Sequence, residues 1–243
     1  MQQNFKVIEY DCIGSTNAEA KEYAYNTNSR QPVLFVAREQ SAGRGRLGRS
    51  FYSRLSGGIY MSFLYFTSSS LSDAVSVTTA AAVFVAEAIE RATGRKMNIK
   101  WVNDVYNDHG KVAGILTETV KVGDETAVIV GIGINTGKDD FPEELLGIAS
   151  SIGEIDEEGR RNIVRAISGA LLGHAEDPLD RGYITGYRER FMLEGMEVDL
   201  LRAGEIIARG KVKGVTDDGG LIFLPFGESE PEIIHSGEVS IRI

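Results

Sequence analysis

Asn98 to Asn135 reads NIKWVNDVYNDHGKVAGILTETVKVGDETAVIVGIGIN, three runs of β-forming residues at close spacing. The first, Asn98 to Tyr106, is separated from the second, Lys111 to Val120, by NDHG, a turn signal built from Asn, Asp and Gly. The third, Thr126 to Asn135, is apolar at nearly every position, as a strand buried on both faces should be. Runs this close read as antiparallel strands joined by hairpins, so the chain carries a sheet at its centre.

Upstream, strand and helix signals alternate. Phe5 to Tyr10, Val33 to Glu39 and Gly58 to Phe66 are strand-like. Thr16 followed by Glu19 predicts a capping box opening a helix that runs to about Asn26. Ser72 or Asp73 is the expected cap of a long Ala-rich helix, AVSVTTAAAVFVAEAIERAT, closed by Gly94. Downstream, EEGRRNIVRAISGALLGH and LDRGYITGYRERFM are helical patterns, the second ending near Met192. From about Gly195 short strands split by turns such as DDGG predict a small barrel of the SH3 type. The fold class is therefore α+β: a mixed sheet flanked by helices over residues 1–193, then a small β-barrel over 194–243.

The 243 residues are 42% hydrophobic and 25% charged, which suits a globular chain that can bury a core. A net charge of -9 argues against general nucleic-acid affinity, so any anion site must be local. Cys12 is the single cysteine, and His109, His174 and His235 lack metal-ligand spacing, so neither a disulfide framework nor a fixed structural metal is expected. No run reaches the length of a membrane span and no signal peptide is legible, which predicts a soluble, cytoplasmic protein with no membrane contact.

Against that acidic background, Ser41 to Arg49 reads SAGRGRLGR. Glycines let backbone N–H groups approach a ligand, and arginine forks match carboxylate or phosphate oxygens. The same stretch could be a solvated loop or an RGG-like RNA-binding segment, although the latter needs many repeats. Lys111, at the head of a strand and followed by Gly114, can point into a pocket or be a surface charge flanking a hairpin. Asn103 and Asp104 interrupt an apolar run, which marks either an Asx-type turn or a ligand site. Gly131 and Gly133 suggest close approach by another segment or a ring, with strand packing as the plainer account. Thr16 is explained by capping, and Phe51 and Tyr52 are either stacking or core residues. With no Ser-His-Asp set and Cys12 in an apolar context, covalent catalysis lacks a nucleophile. Cationic groups, glycines and an acid suit a reaction that brings anions together, such as carboxylate adenylation.

Taken in order, STN, EQSAGRGRLGRSF, KWVNDV, GKVAGIL and GIGIN resemble the biotin protein ligases, over nearly the whole chain. One departure is Val102, where that family usually has proline. The resemblance implies a catalytic core similar to that of class II aminoacyl-tRNA synthetases, with an SH3-like C-terminal domain. It implies that Ser15, Thr16, Asn17 and Gln40 line the pocket for the ureido ring of biotin, and that Gly43, Arg44, Gly45 and Arg46 form a loop closing over biotin and its adenylate. Lys111, near Gly114, would bridge the biotin carboxylate and the α-phosphate of ATP. Arg49 would hold phosphates, Phe51 cover the adenine, Asn135 contact the nucleotide, and Asn103 and Asp104 lie near the phosphates, Asp104 orienting Lys111 or placing Mg2+. The implied partners are biotin, ATP with Mg2+, and a biotin carboxyl carrier protein, with a homodimer in keeping with the family. Only about ten residues precede GSTN, so specific DNA binding and a repressor role are not expected. Rival readings are a lipoate–protein ligase or octanoyltransferase, and a non-catalytic biotin-sensing module.

Overall fold

A computed structural model describes residues 4–48, 51–53, 58–68, 74–235 and 239–242. Its first sheet has seven strands: β1 (Lys6–Ile13), β2 (Val33–Gln40), β3 (Gly58–Thr67), β4 (Asn98–Lys100), β5 (Asp104–Tyr106), β6 (Lys111–Val122) and β7 (Glu125–Asn135). Their spatial order is β1-β2-β3-β7-β6-β5-β4. β1 and β2 are parallel and every other neighbouring pair is antiparallel, so the sheet is mixed, as the sequence led us to expect. β3 and β7 lie at the centre, which is why both are continuous apolar runs: covered above and below, neither can alternate.

The two faces are covered unequally. Val128, Val130, Ile132 and Ile134 of β7 face the larger core, shared with α2 (Ala74–Thr93), α3 (Glu157–Glu176) and α4 (Tyr183–Arg190). α2 is buried on nearly all sides, and its alanines let it lie close to the sheet. α3 instead presents a stripe of Ile163, Ile167 and Leu171, and Asp156 caps it by accepting from Gly159 N at 2.8 Å. The opposite face is covered by α1 (Thr16–Asn26), whose Ala20 and Ala24 pack on Phe35, Leu64, Ala127 and Ile129. Past the N-terminus of α1 this face carries Gly114, Gly131 and Gly133 in place of apolar side chains. There side chains can approach the strands closely, as Asn17 and Phe51 do.

The run Asn98 to Tyr106, expected as one strand, is two. β4 turns through Trp101–Asn103, with a cis Trp101–Val102 peptide, and returns as β5 in register Asn98↔Tyr106 and Lys100↔Asp104. Side chains at the turn find partners no straight strand would offer. Trp101 Nε1 donates to Gly219 O at 2.9 Å, Asn103 Nδ2 to Ile115 O at 3.0 Å, and Ile115 N to Asn103 O at 2.9 Å.

The tail forms a five-stranded antiparallel sheet in the order β11-β10-β9-β8-β12, with β8 at Glu197–Arg202, β9 at Glu205–Val215, β10 at Leu221–Pro225, β11 at Glu232–Ile234 and β12 at Val239–Arg242. β8 and β9 are joined by Ala203 and Gly204, both at positive φ (51° and 87°), the backbone a two-residue hairpin requires. This SH3-like unit shares its apolar residues Val198, Leu200, Val212 and Phe223 with the larger core. Among the described residues no helix is long and apolar enough to cross a membrane. The expected caps Ser72 and Asp73 lie outside the described residues.

Candidate active site

Three elements converge above the glycine floor. The first is the N-terminus of α1. Ser15, not Thr16, caps it, its Oγ accepting from Ala18 N at 3.4 Å, and Glu19 accepts from Tyr10 Oη at 3.1 Å instead of closing a capping box. The expected box is thus corrected. With Ser15 at the cap, Thr16 is the first helical residue and its hydroxyl is released for the pocket. Thr16 N and Oγ1 lie 2.8 and 3.1 Å from Gln40 Oε1.

The second element is the Arg-Gly stretch, which leaves the end of β2. Ser41 N and Ala42 N extend the β1–β2 ladder by donating to Ile13 O and Gly14 O, at 2.9 and 2.8 Å. The loop then closes on itself through Phe51 N donating to Gly43 O at 3.0 Å, and a Cβ on Gly43 would meet Phe51 O at 2.7 Å, so the glycine is sterically required. Arg44 and Gly45 run along the pocket. Arg46 opens a short 3-10 turn and reaches across to donate from Nη1 to Asn103 Oδ1 at 2.6 Å. Arg49 lies outside the described residues.

The third element is the head of β6. Lys111 is held by its backbone, N donating to Ile148 O and O accepting from Ser150 N, both at 2.9 Å. Its side chain folds back so that Nζ stands 2.7 Å from Asp104 Oδ1, both groups about a quarter exposed. That oxygen is buried, and the Lys111 ammonium is the group that balances its charge. Lys100, opposite Asp104 in the β4–β5 register, is held below the usual lysine range by burial, with the Asp104 charge opposing and that of Lys111 adding to the effect. Lys111 and Lys100 therefore stand beside Asp104, while Arg44 and Arg46 line the cavity, in a chain of net charge -9.

The floor explains the glycines of GIGIN. A Cβ on Gly131 would lie 1.9 Å from Asn17 Oδ1, and one on Gly133 2.5 Å from the Phe51 ring, which also lies 3.2 Å from the Cβ position of Gly114. An amide and an aromatic ring approach the strand, so the glycines serve more than strand packing. Phe51 rests edge-on to Tyr60, while Tyr52 leans away toward Phe141. With Phe51 on the floor a cavity of about 50 Å3 remains. At the far end Asn135 is 5% exposed; its Nδ2 donates to Ser150 O at 3.1 Å, while its Oδ1 is buried with no partner.

The structure thus brings together Ser15, Thr16, Asn17, Gln40, Arg44, Gly45, Arg46, Phe51, Asn103, Lys111 and Gly114 around one cavity, with Gly43, Asp104 and Asn135 in contact with its walls. Sequence reasoning missed Lys100, Ser62 and Glu118. Ser62 is fully buried beneath Thr16 and Asn17, and its signal was a lone hydroxyl within the apolar run GIYMSFLYF.

A cationic rim facing a glycine floor, at the uncovered end of a mixed sheet, has the chemistry of an anion site, since arginine forks and backbone N–H groups match carboxylate and phosphate oxygens. Residues 9–135 match the model of the biotin/lipoate A/B protein ligase family. The chain is 41% identical over 225 residues to the bifunctional ligase/repressor BirA of Bacillus spizizenii, covering 89% of this chain and 68% of that one. It is 29% identical to the biotin–[acetyl-CoA-carboxylase] ligase of Paracoccus denitrificans, covering 93% and 96%. Its fold matches the biotin protein ligase from Aquifex aeolicus in complex with biotin and ATP with a TM-score of 0.80 and 32% identity, over 98% of each chain. The chain belongs to the biotin/lipoate A/B protein ligase family, and within it stands with the biotin protein ligases.

Proposed function

We propose that the chain activates biotin with ATP as biotinyl-5'-AMP and transfers the biotinyl group to a lysine of a biotin carboxyl carrier protein. The observation that carries this reading is the pairing of Lys111 with Asp104 at 2.7 Å, one residue along the chain from Asn103, which holds Arg46 at 2.6 Å. In the first step a biotin carboxylate oxygen attacks the α-phosphorus and pyrophosphate leaves. Two anions must approach, and Lys111 and Arg46 supply positive charge where they meet. Ser15, Thr16, Asn17 and Gln40 hold the distal ring, and Asn103 orients Arg46. Asn135, with its open Oδ1, faces the nucleotide.

A cavity of about 50 Å3 is well below the roughly 300 Å3 or more of ordinary ligand pockets, so the loop and Phe51 move aside for substrate and return over it. Phe51 then covers the adenine, and Arg49 joins the phosphates. Closure keeps water from the mixed anhydride until the neutral amine of the carrier lysine attacks its carbonyl carbon and AMP leaves. Among the described residues no three His, Cys, Asp or Glu side chains gather as a metal site. The Asp104 carboxylate, a quarter exposed, is of the kind that would hold a magnesium ion arriving on the ATP phosphates, as such ions bind through one or two carboxylates. The ion would neutralise phosphate charge. The need for ATP and the single, exposed, free Cys12 favour the cytoplasm.

The test is biotin-dependent exchange of labelled pyrophosphate into ATP. Wild type should exchange. Lys111→Ala should lower the rate about a hundredfold or more while still folding, because it removes a group acting on the transition state. Arg46→Ala should act in the same direction. No exchange by the wild type refutes the proposal.

A further inference from the structure

Behind the distal end of the pocket runs a chain of hydrogen bonds whose direction is fixed by two acceptors on β6. It begins at Glu118 on β6, whose carboxylate accepts from Asn17 Nδ2 at 2.9 Å, with Lys21 Nζ 3.9 Å away on its solvent side. Asn17 Nδ2 also lies 3.2 Å from Leu116 O. Ser62 Oγ stands 2.6 Å from Asn17 Oδ1 and 2.8 Å from Thr16 Oγ1. Thr16, Asn17 and Ser62 are 3%, 4% and 0% exposed, so water cannot substitute for a missing partner.

The protons can be assigned from these contacts alone. A carboxylate and a backbone carbonyl only accept, so the NH2 of Asn17 must face Glu118 and Leu116 and its oxygen must face Ser62. An amide oxygen also only accepts, so the single hydroxyl proton of Ser62 goes to Asn17. Ser62 can then meet Thr16 only as an acceptor, which draws the Thr16 proton inward at 2.8 Å and away from Gln40 Oε1, 3.1 Å distant and already bonded by Thr16 N. At the pocket end two acceptors are left facing the cavity: Thr16 Oγ1 and the second lone pair of Gln40 Oε1. Such an end pairs with N–H groups and leaves a ligand without them facing unpaired oxygens, a loss that discriminates strongly.

We infer that Glu118, together with Leu116 O and acting through Asn17 and Ser62, sets the donor–acceptor direction of the pocket and makes it selective for an acid whose distal ring carries N–H donors. Glu118 and Ser62 are positioning residues, since neither need touch the ligand. The inference rests on the ligase reading, which supplies the cyclic urea of biotin as that ring.

The experiment measures pyrophosphate exchange and competition by desthiobiotin, which keeps the cyclic urea, and by octanoic acid, which has the carboxylate without N–H groups. Wild type is compared with Ser62→Ala, Ser62→Cys and Glu118→Gln. Ser62→Ala breaks the chain and should raise KM for biotin and Ki for desthiobiotin about tenfold or more, with kcat within about threefold. Ser62→Cys, retaining a weak donor and acceptor, should recover part of the loss. Glu118→Gln exchanges a charged acceptor for a neutral one while Leu116 O remains, so it weakens the enforcement and should raise the same two constants about threefold. In every variant Ki for octanoic acid and KM for ATP should stay within about twofold. Should Ser62→Ala fail to fold, Glu118→Gln, at a part-exposed strand position, carries the test. A KM for biotin within twofold of wild type in the folded variants overturns the inference, as does an equal loss for octanoic acid. A wild type without exchange overturns the ligase reading first, and this inference with it.

Discussion

Gly131 and Gly133 occupy successive same-face positions on β7, yet alanine at the two should fail in different ways. At 131 the new Cβ would lie 1.9 Å from Asn17 Oδ1 and 2.6 Å from its Cγ. Asn17 cannot yield cheaply: it sits in the first turn of α1, accepts from Ser62 and donates to Leu116 O and Glu118. Three bonds at about 1 kcal/mol each and about 1–3 kcal/mol of overpacking are offset by only about 0.5–1 kcal/mol for alanine over glycine in a strand. The net is about 3–5 kcal/mol. At about 2–4 °C per kcal/mol for a chain of this size, Tm should fall by roughly 6–20 °C. At 133 the Cβ would meet the Phe51 ring at 2.5 Å, but that ring belongs to a loop and packs edge-on against Tyr60. It can swing off the floor, so the cost of about 1 kcal/mol is nearly cancelled by the same glycine term and Tm should stay within about 3 °C. Activity should still fall about tenfold if Phe51 covers the adenine as proposed, because that cover would be displaced. Thermal melts followed by circular dichroism, with pyrophosphate exchange on the same samples, make the comparison. Equal melting losses for the two variants would refute the view of Phe51 as a movable cover, and an unchanged Tm in Gly131→Ala would refute the locked position of Asn17.

Three further outcomes follow from contacts outside the floor. Trp101→Phe keeps the ring in the core but loses the donation to Gly219 O, and should cost about 1 kcal/mol, seen as a Tm lower by about 2–4 °C. Glu90 and Arg190 form a two-pronged, largely buried pair at 2.6 and 3.1 Å; burial would raise the Glu90 pKa, but hydrogen bonds from Arg190 and Met97 N hold it below the ordinary value. Its contribution is therefore present above about pH 4.3 and lost as pH falls through the depressed value, so the destabilisation by Arg190→Ala, about 3 kcal/mol at pH 7 in urea melts, should shrink in acid. Tyr106 is pushed up to about 12 by burial first and the Asp104 charge second. A raised value stabilises below the unfolded pKa of about 10 and is lost as pH climbs toward 12, so Tyr106→Phe, equal to or less stable than wild type at pH 8, should gain on it by about 1–2 kcal/mol by pH 12. A constant difference across that range would exclude ionisation of Tyr106 as a cause of alkaline unfolding.

Which parts of the molecule were legible in the sequence follows from what each residue answers to. β3 and β7 are covered on both faces, so burial alone dictated their composition and their runs could be read directly. The same rule misled at Asn98 to Tyr106, where an apolar run folds back on itself because Trp101 and Asn103 bond to Gly219 and Ile115, partners remote in sequence and unknowable from local pattern. Thr16 was misassigned for the converse reason: a local rule, the capping box, sufficed to explain it, and nothing nearby announced Gln40, 24 residues on. Arg46, Asn103, Lys111 and the paired glycines each had a local account, a solvated loop, an Asx-type turn, a hairpin-flanking charge or strand packing, and stood out only when taken together. Arginines alternating with glycines in an acidic chain and polar groups in an apolar run all lower stability unless something else requires them. Ser62 belongs to the same class, a hydroxyl costing energy in a central strand unless partnered, and it was visible in GIYMSFLYF by that test. What could not be read was its direction. Whether Ser62 gives its proton to Asn17 or takes one depends on Leu116 O and on Glu118, the latter 56 positions along the chain and two strands away in the sheet, so polarity appears only once the fold has set acceptors at one end of the chain of bonds.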